Sequence, residues 1–291
     1  MLITRTLLST PGNQARMLEK AAGYGADALM LDLEDSVPAP DKRNARELVR
    51  KQLNSIGGAI DVFVRVNSRE SGLLEADVEA VVAVSLHGIV LPKVESAETV
   101  REVDAVLAQA ERRAGIPVGR VELAPALESA RGIWFAYEIL SASARCSTVL
   151  VGTAEGGDLQ ADLRSSWSSA GTELLYARSR VITVARALRI ENILDGAYSN
   201  VKDETGLIAD SKLSRSLGYR GRMVIHPSQV SVVKRIFTAT SEEIARSKRI
   251  VAAFKEGVAA NRGAISVDGL MVDAAMAKRA RAILDELDVA D

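Results

Sequence analysis

Eight short apolar runs, each followed by a stretch of helical spacing, succeed one another between Thr6 and Ile225 with little filler. They occupy residues 6–9, 27–33, 61–66, 88–91, 123–127, 148–151, 193–195 and 223–225. This alternation limits the fold more than any other feature. A strand, a helix and a second strand in succession build parallel sheet, and eight such units close into a (β/α)8 TIM barrel. A doubly wound open sheet is the competing architecture. Asn13 and Asp41 stand where helix caps belong, and helical patterns run over 97–113, 133–140, 172–189 and 203–217. The expected domain limits are 1–236 for the barrel and 237–291 for a C-terminal extension. In the extension a helix over 242–255 precedes a hairpin turning at Asp268-Gly269, then a final amphipathic helix to about residue 287.

In a barrel of this kind the chemistry sits where strands end, on the rim carrying the strand-to-helix loops. The ends here are rich in acids. The stretch L-A-P-A-L-E-S-A-R-G places Glu128 at the end of the fifth strand. G-T-A-E-G-G-D-L places Glu155 and Asp158 after the sixth, and Glu34-Asp35 and Arg65 follow the second and third. Carboxylates on successive strand tips can share one divalent cation, and oxygen ligands favour Mg²⁺ or Mn²⁺ over zinc or copper. An arginine beside them can hold a carboxylate or a developing enolate in its fork. The residues alone leave other readings open. The acids can be solvated loop acids, Arg65 can be an ion-pair partner of Glu34 or Asp35, and Lys93 reads as a solvated strand end. His226 reads as a backbone-bonding residue, and His87 as a surface one.

Composition excludes several classes. A net charge of −1 gives no basic field for nucleic acid, and no run approaches the roughly 20 apolar residues of a membrane span. Cys146 is the only cysteine, so an intrachain disulfide and a Cys-rich metal site are both excluded. Arg5 interrupts the first apolar residues too early for a signal peptide, so the cytoplasm is the expected location.

Several motifs occur together and in order: L-D-L-E-D-S-V, D-K-x-x-A-R, V-R-V-N, L-P-K-V-E-S, A-L-E-S-A-R-G, L-L-Y-A-R-S-R-V, I-H-P-S-Q and G-L-M-V-D-A. From Arg5 to about Leu287 the chain resembles the citrate lyase β-subunit / malyl-CoA lyase family of the HpcH/HpaI aldolase superfamily. The resemblance implies a Mg²⁺-binding barrel, usually a homotrimer. It puts metal ligands on Glu128 and Asp158, a substrate-polarising arginine on Arg65, and acids around the metal's waters on Glu34 and Asp35. A late aspartate lent to the adjacent subunit falls on Asp273. The implied reaction is cleavage of a 3-hydroxyacyl-CoA of the malyl, methylmalyl or citramalyl type into acetyl-CoA or propionyl-CoA and glyoxylate or pyruvate. From the residues, Arg16, Lys42 and Arg43 are candidates to meet the CoA phosphates near the same rim, although each reads more readily as a solvated helix charge.

One departure bears on the substrate. The family pattern runs Gly-Ala-Glu-Asp-Leu, whereas here Gly156-Gly157 separates Glu155 from Asp158, and Arg164 stands where a glycine is usual. The register favours Asp158 as ligand while leaving Glu155 open. Three alternatives accompany the lyase reading: a citrate lyase β subunit acting on a citryl-acyl carrier protein, a metal-dependent pyruvate aldolase, and a non-enzymatic ligand-binding barrel.

Overall fold

The computed structural model describes residues 4–260 and 263–288. Strands β1 (Thr6–Pro11), β2 (Ala28–Asp32), β3 (Asp61–Arg65), β4 (Gly88–Leu91), β5 (Glu122–Leu127), β6 (Thr148–Val151), β7 (Asn192–Asp195) and β8 (Gly221–Val224) pair in parallel, each with the next. β8 returns to β1, with Thr6 opposite Arg222, and closes the barrel. Every residue of β2, β4, β6 and β7 is buried, as parallel strands covered on both faces require. Two apolar layers result. Leu7, Ala28, Met30, Phe63, Val90, Ala124, Ala126, Leu150 and Leu194 fill the barrel interior. A larger cluster joins the outward strand faces to the helices.

The helices follow from apolar spacing. The helix Lys42–Ile56 buries Ala45, Val49 and Leu53 at four-residue intervals and ends at Gly57, whose φ of 58° is left-handed. At Gly221 no side chain fits, because a Cβ there would lie 2.2 Å from the Thr4 carbonyl oxygen as β8 meets the incoming chain.

Local details differ from the sequence expectations. The pattern over 133–140 divides into two short helices, Ala130–Trp134 and Ala136–Leu140, broken at Phe135. Asn13 does not cap the helix Ala15–Ala21; its amide donates to Asp41 at 2.9 Å. Asp41 precedes its helix without a capping bond. The helix Pro227–Phe237, unassigned from sequence, covers β8.

Two compact units are present, one from Thr4 to Phe237 and one from Thr238 onward. In the second, Thr240 and Glu243 form a capping box at the start of the helix Ser241–Ala259. β9 (Ile265–Val267) and β10 (Leu270–Val272) form the expected antiparallel hairpin. Its turn residues Asp268 and Gly269 have φ of 52° and 77°, the pair of positive values a two-residue type I′ turn needs. The helix Ala274–Asp288 packs on Ser241–Ala259 around Ile250, Val272, Ala277 and Ala280.

His87, read from the sequence as a surface residue, is half-buried. It lies just before β4, with Nδ1 3.1 Å from Asp61 and Nε2 3.2 Å from Glu122, the first residues of β3 and β5. Burial lowers the imidazole pKa, but the Glu122 hydrogen bond and the Glu122 and Asp61 charges outweigh it and leave the value raised above 6.5. The folded state therefore holds this proton more tightly than the unfolded chain does. The resulting stabilisation is present below the unfolded pKa and is lost as pH rises through the raised value. His87→Gln is expected to lower the urea midpoint more at pH 5.5 than at pH 8.5; an equal loss at both would mean that packing alone accounts for the residue.

Candidate active site

β2 and β3 set the centre of the site. Asp32 and Arg65 are opposite in register at the ends of the two strands. The Arg65 fork donates from Nε and Nη2 to the two carboxylate oxygens of Asp32, both at 2.7 Å. Asp32 is fully buried. Burial raises its pKa, but the Arg65 bonds and charge, with bonds from Ser36 and the Glu34 peptide, prevail and keep it below the usual carboxylate value. The Ser36 hydroxyl and the peptide N–H groups of Glu34 and Ser36 all donate to this carboxylate, so Asp32 shapes the loop that carries Glu34 and Asp35. The remaining nitrogen of the fork, Nη1, lies 3.2 Å from Glu34 and 3.8 Å from Asp35.

Lys93 follows β4 with a φ of 55°, a left-handed backbone that a side-chain-bearing residue adopts only at a cost. Its ammonium lies 2.8 Å from Glu34, 3.2 Å from Asp35 and 3.5 Å from Asp158. Burial lowers its pKa, but Glu34 and Asp35 outweigh that and raise it, so the amine stays protonated. Glu128 follows β5. Gly152, after β6, leaves room for it: a Cβ there would stand 2.9 Å from Glu128 Cγ. Burial pushes the Glu128 carboxyl up to about 7, with Arg65 offsetting part of the effect and Glu34 and Asp158 adding to it. Asp158 opens the short helix Asp158–Leu163, half exposed. The inserted Gly156 has a φ of 71°, and its N–H donates to Gln160 at 2.6 Å.

Asp35, Arg65, Glu128 and Asp158 share the lining of one cavity of about 280 Å³, together with Gly156 and Gly157. Glu155 is exposed and is not part of that lining. The structure thus gathers Glu34, Asp35, Arg65, Glu128 and Asp158 in one cluster. Asp273 belongs to the second unit, where its carboxylate accepts the Met276 N–H at 2.9 Å.

Of the three cations considered for phosphates, Lys42 is committed elsewhere. Its ammonium donates to the Leu33 and Glu34 carbonyls at 2.7 and 2.8 Å and to Asn67 at 2.7 Å. Asn67 in turn donates to Asp77, which pairs with Arg46 at 2.6 Å. The D-K-x-x-A-R and V-R-V-N motifs therefore tie the loop after β2 to β3 in this chain. Arg16 and Arg43 are exposed.

Sequence reasoning passed over Asp32 and set Lys93 aside. It also missed Asp195, the fully buried end of β7. Thr153, on the loop leading to Asp158, donates to Asp195 at 2.6 Å, and Arg178 lies 3.2 Å from the same carboxylate. A usable signal existed for Asp32, since it and Arg65 are opposite charges ending neighbouring strands.

The model of the HpcH/HpaI aldolase/citrate lyase family matches residues 5–227. The chain belongs to this family. It is therefore a lyase by descent. The citrate lyase subunit beta of Leuconostoc mesenteroides subsp. cremoris is 34% identical over 284 residues, covering 97% of this chain and 92% of that protein. Human mitochondrial citramalyl-CoA lyase is 32% identical over 290 residues, covering 95% and 83%. The crystal structure of protein CitE from Mycobacterium tuberculosis in complex with magnesium, acetoacetate and coenzyme A superposes with a TM-score of 0.78 at 26% identity, covering 98% of both chains. Among the described residues no helix is long and apolar enough to cross a membrane.

Proposed function

We propose that this family member is a magnesium-dependent carbon–carbon lyase. It would cleave a 3-hydroxyacyl-CoA into an acyl-CoA and a 2-oxo acid. The observation that carries the reading is the rim of the 280 Å³ cavity, where Glu128 and Asp158 face the same space as Arg65. The donor set fits magnesium. Both ligands are carboxylates, and burial disfavours a bare charge on Glu128. Magnesium is commonly held by one or two carboxylates, with its other positions left to water and substrate. Held there by Glu128 and Asp158, the ion would supply Lewis-acid stabilisation of negative charge on the substrate oxygens.

In the reaction a base takes the C3 hydroxyl proton as the C2–C3 bond breaks. The hydroxyl oxygen closes the carbonyl of the 2-oxo acid, and the bond pair passes to C2 as a thioester enolate. A proton delivered to C2 completes the acyl-CoA. Arg65 orients the substrate's oxygens through the Nη1 edge that Asp32 does not occupy and stabilises charge there. Lys93 offsets the charge of Glu34 and Asp35 and holds them at the rim. We assign proton transfer at C2 to Asp273, supplied by another copy of the chain. Exposed Trp134, Tyr137, Leu175 and Tyr176, on helices that pack together, support association, and the family resemblance favours a trimer. Arg16 and Arg43 are the candidates for the CoA phosphates.

The direct test is incubation with malyl-, methylmalyl- and citramalyl-CoA and mass-spectrometric detection of products. Cleavage of at least one, abolished by EDTA and restored by Mg²⁺, is expected; no cleavage of any would sink the reading. The similarity to citrate lyase β subunits keeps a citryl-acyl carrier protein as the second reading, and turnover of free CoA thioesters would disfavour it. Asp273→Ala is expected to lower kcat by about a hundredfold or more with a smaller effect on Mg²⁺ affinity. Mixed oligomers of Asp273→Ala and Arg65→Ala chains should regain activity. Failure in oligomers verified as mixed by native mass spectrometry would count against sharing of the aspartate.

A further inference from the structure

Three of the six residues from 152 to 157 are glycines, and Asp158 follows them directly. Glycine loses more backbone freedom than any other residue when a segment is ordered. Asp158 itself adds little restraint, being half exposed and 3.5 Å from Lys93. The segment is instead fastened at its root. Thr153 lies two residues past β6 and is buried. Its hydroxyl donates to Asp195 at 2.6 Å and accepts the Gly196 N–H at 3.1 Å. The two strand ends meet closely here, since a Cβ on Gly196 would lie 2.6 Å from both the peptide nitrogen and the hydroxyl oxygen of Thr153. Farther along, the Ser199 hydroxyl donates to the Glu155 carbonyl at 3.2 Å. The loop after β7 thus holds the loop after β6 at two points.

Asp195 is in turn gripped from the helices. Arg178, in the helix Leu175–Ala187, lies 3.2 Å from its other oxygen, and the Ser214 hydroxyl, in the helix Glu204–Leu217, donates to that same oxygen. Asp210 joins Arg178 to Arg222 at 2.9 and 2.7 Å. The Arg222 fork donates to the Gly196 carbonyl at 3.1 and 2.8 Å. Buried charge of this kind is weak evidence for stability, because desolvation cancels much of its attraction. The network does reach the cavity, whose lining includes Gly152 and Ala154 on either side of Thr153, and Gly196. We propose that Asp195 and Thr153 are positioning residues, which pin the glycine-rich segment so that Asp158 stays on the cavity wall with Glu128. This inference rests on the lyase reading only in naming magnesium as the ion Asp158 meets.

Thr153→Val tests the pin with little change of shape. Asp195 keeps the Gly196 N–H, Ser214 and Arg178, so no buried charge is stranded and the chain should fold. Thr148→Val is the control, the same substitution at the opposite end of β6. The Thr148 hydroxyl is also buried, and joins Glu122 and Asn192 at 3.2 and 2.9 Å. Both variants should lose a similar part of the urea midpoint. Only Thr153→Val should speed amide hydrogen exchange over residues 154–158, by about tenfold, and weaken Mg²⁺ binding in calorimetry by about tenfold. Thr153→Ser, which keeps the hydroxyl, should return both to within about twofold of wild type. Ser199→Ala, at the second and more exposed tie, is the reserve variant should Thr153→Val fail to fold, and should move both readouts the same way. Unchanged exchange over 154–158, or an equal change in Thr148→Val, would overturn the inference whatever the metal does. Faster exchange with unaltered Mg²⁺ affinity would overturn the link to Asp158. A wild-type chain that bound no Mg²⁺ would sink the lyase reading, and the exchange comparison would still decide the pin.

Discussion

Glu128→Gln is expected to abolish thioester cleavage, on the order of a thousandfold or more, while leaving the fold intact. The two halves of this expectation have different physical origins. Glu128 lies one residue past β5, beyond the apolar filling of the barrel. Its carboxylate is costly where it stands, because burial pushes the carboxyl up to about 7. A neutral amide of the same shape escapes that penalty, so the thermal midpoint should stay within a few degrees or rise. Gly152 leaves space for the Cγ of either residue. What the amide cannot do is neutralise a divalent ion, so Mg²⁺ affinity measured by calorimetry should fall by at least tenfold. Glu155→Gln is the control in the neighbouring loop. Glu155 is exposed and outside the cavity lining, and its replacement should leave activity within a few fold. Equal losses in the two variants would move the metal to a different set of oxygens.

The barrel was legible because its strands are short, apolar and bounded by turn residues, and because the helical spacing between them is regular. The helix Pro227–Phe237 was not, since proline reads as a breaker. At the first turn of a helix proline forfeits only an N–H that would lack a partner anyway, and Val230, Val233 and Phe237 then bury along one face. The acids of the rim were legible by position alone. Their partners were not, because ion pairing across a barrel depends on register. Asp32 meets Arg65 only because β2 and β3 align those two residues. His87 meets Asp61 and Glu122 because three neighbouring strands start at the same level. Lys93 reads as a solvated lysine at a strand end, and only its left-handed backbone, which residue type does not announce, brings the ammonium to Glu34, Asp35 and Asp158. In the same way the motif containing Lys42 suggested phosphate contacts, whereas the ammonium braces the loop that carries Glu34 and Asp35.

Arg65→Met should have the other large effect, and it should damage stability and activity together. The substitution strands Asp32, whose side chain is 1% exposed, without its bidentate partner. Breaking a buried pair on one side costs about 3–5 kcal/mol, far more than the pair itself contributes. Activity should fall by about a thousandfold or more, because the guanidinium edge that faces the cavity disappears. Arg65→Lys retains a charge but cannot span both Asp32 oxygens, so part of each loss should remain. Adding Asp32→Asn to Arg65→Met removes the stranded charge, and its single amide oxygen can still accept from one of the Glu34 and Ser36 peptides, which bond different oxygens of Asp32. The double variant should recover part of the lost urea midpoint and none of the lost turnover. That split distinguishes two roles for one arginine. If turnover returned with the midpoint, Arg65 would serve only to neutralise Asp32, and substrate activation would have to be assigned to another group on the rim.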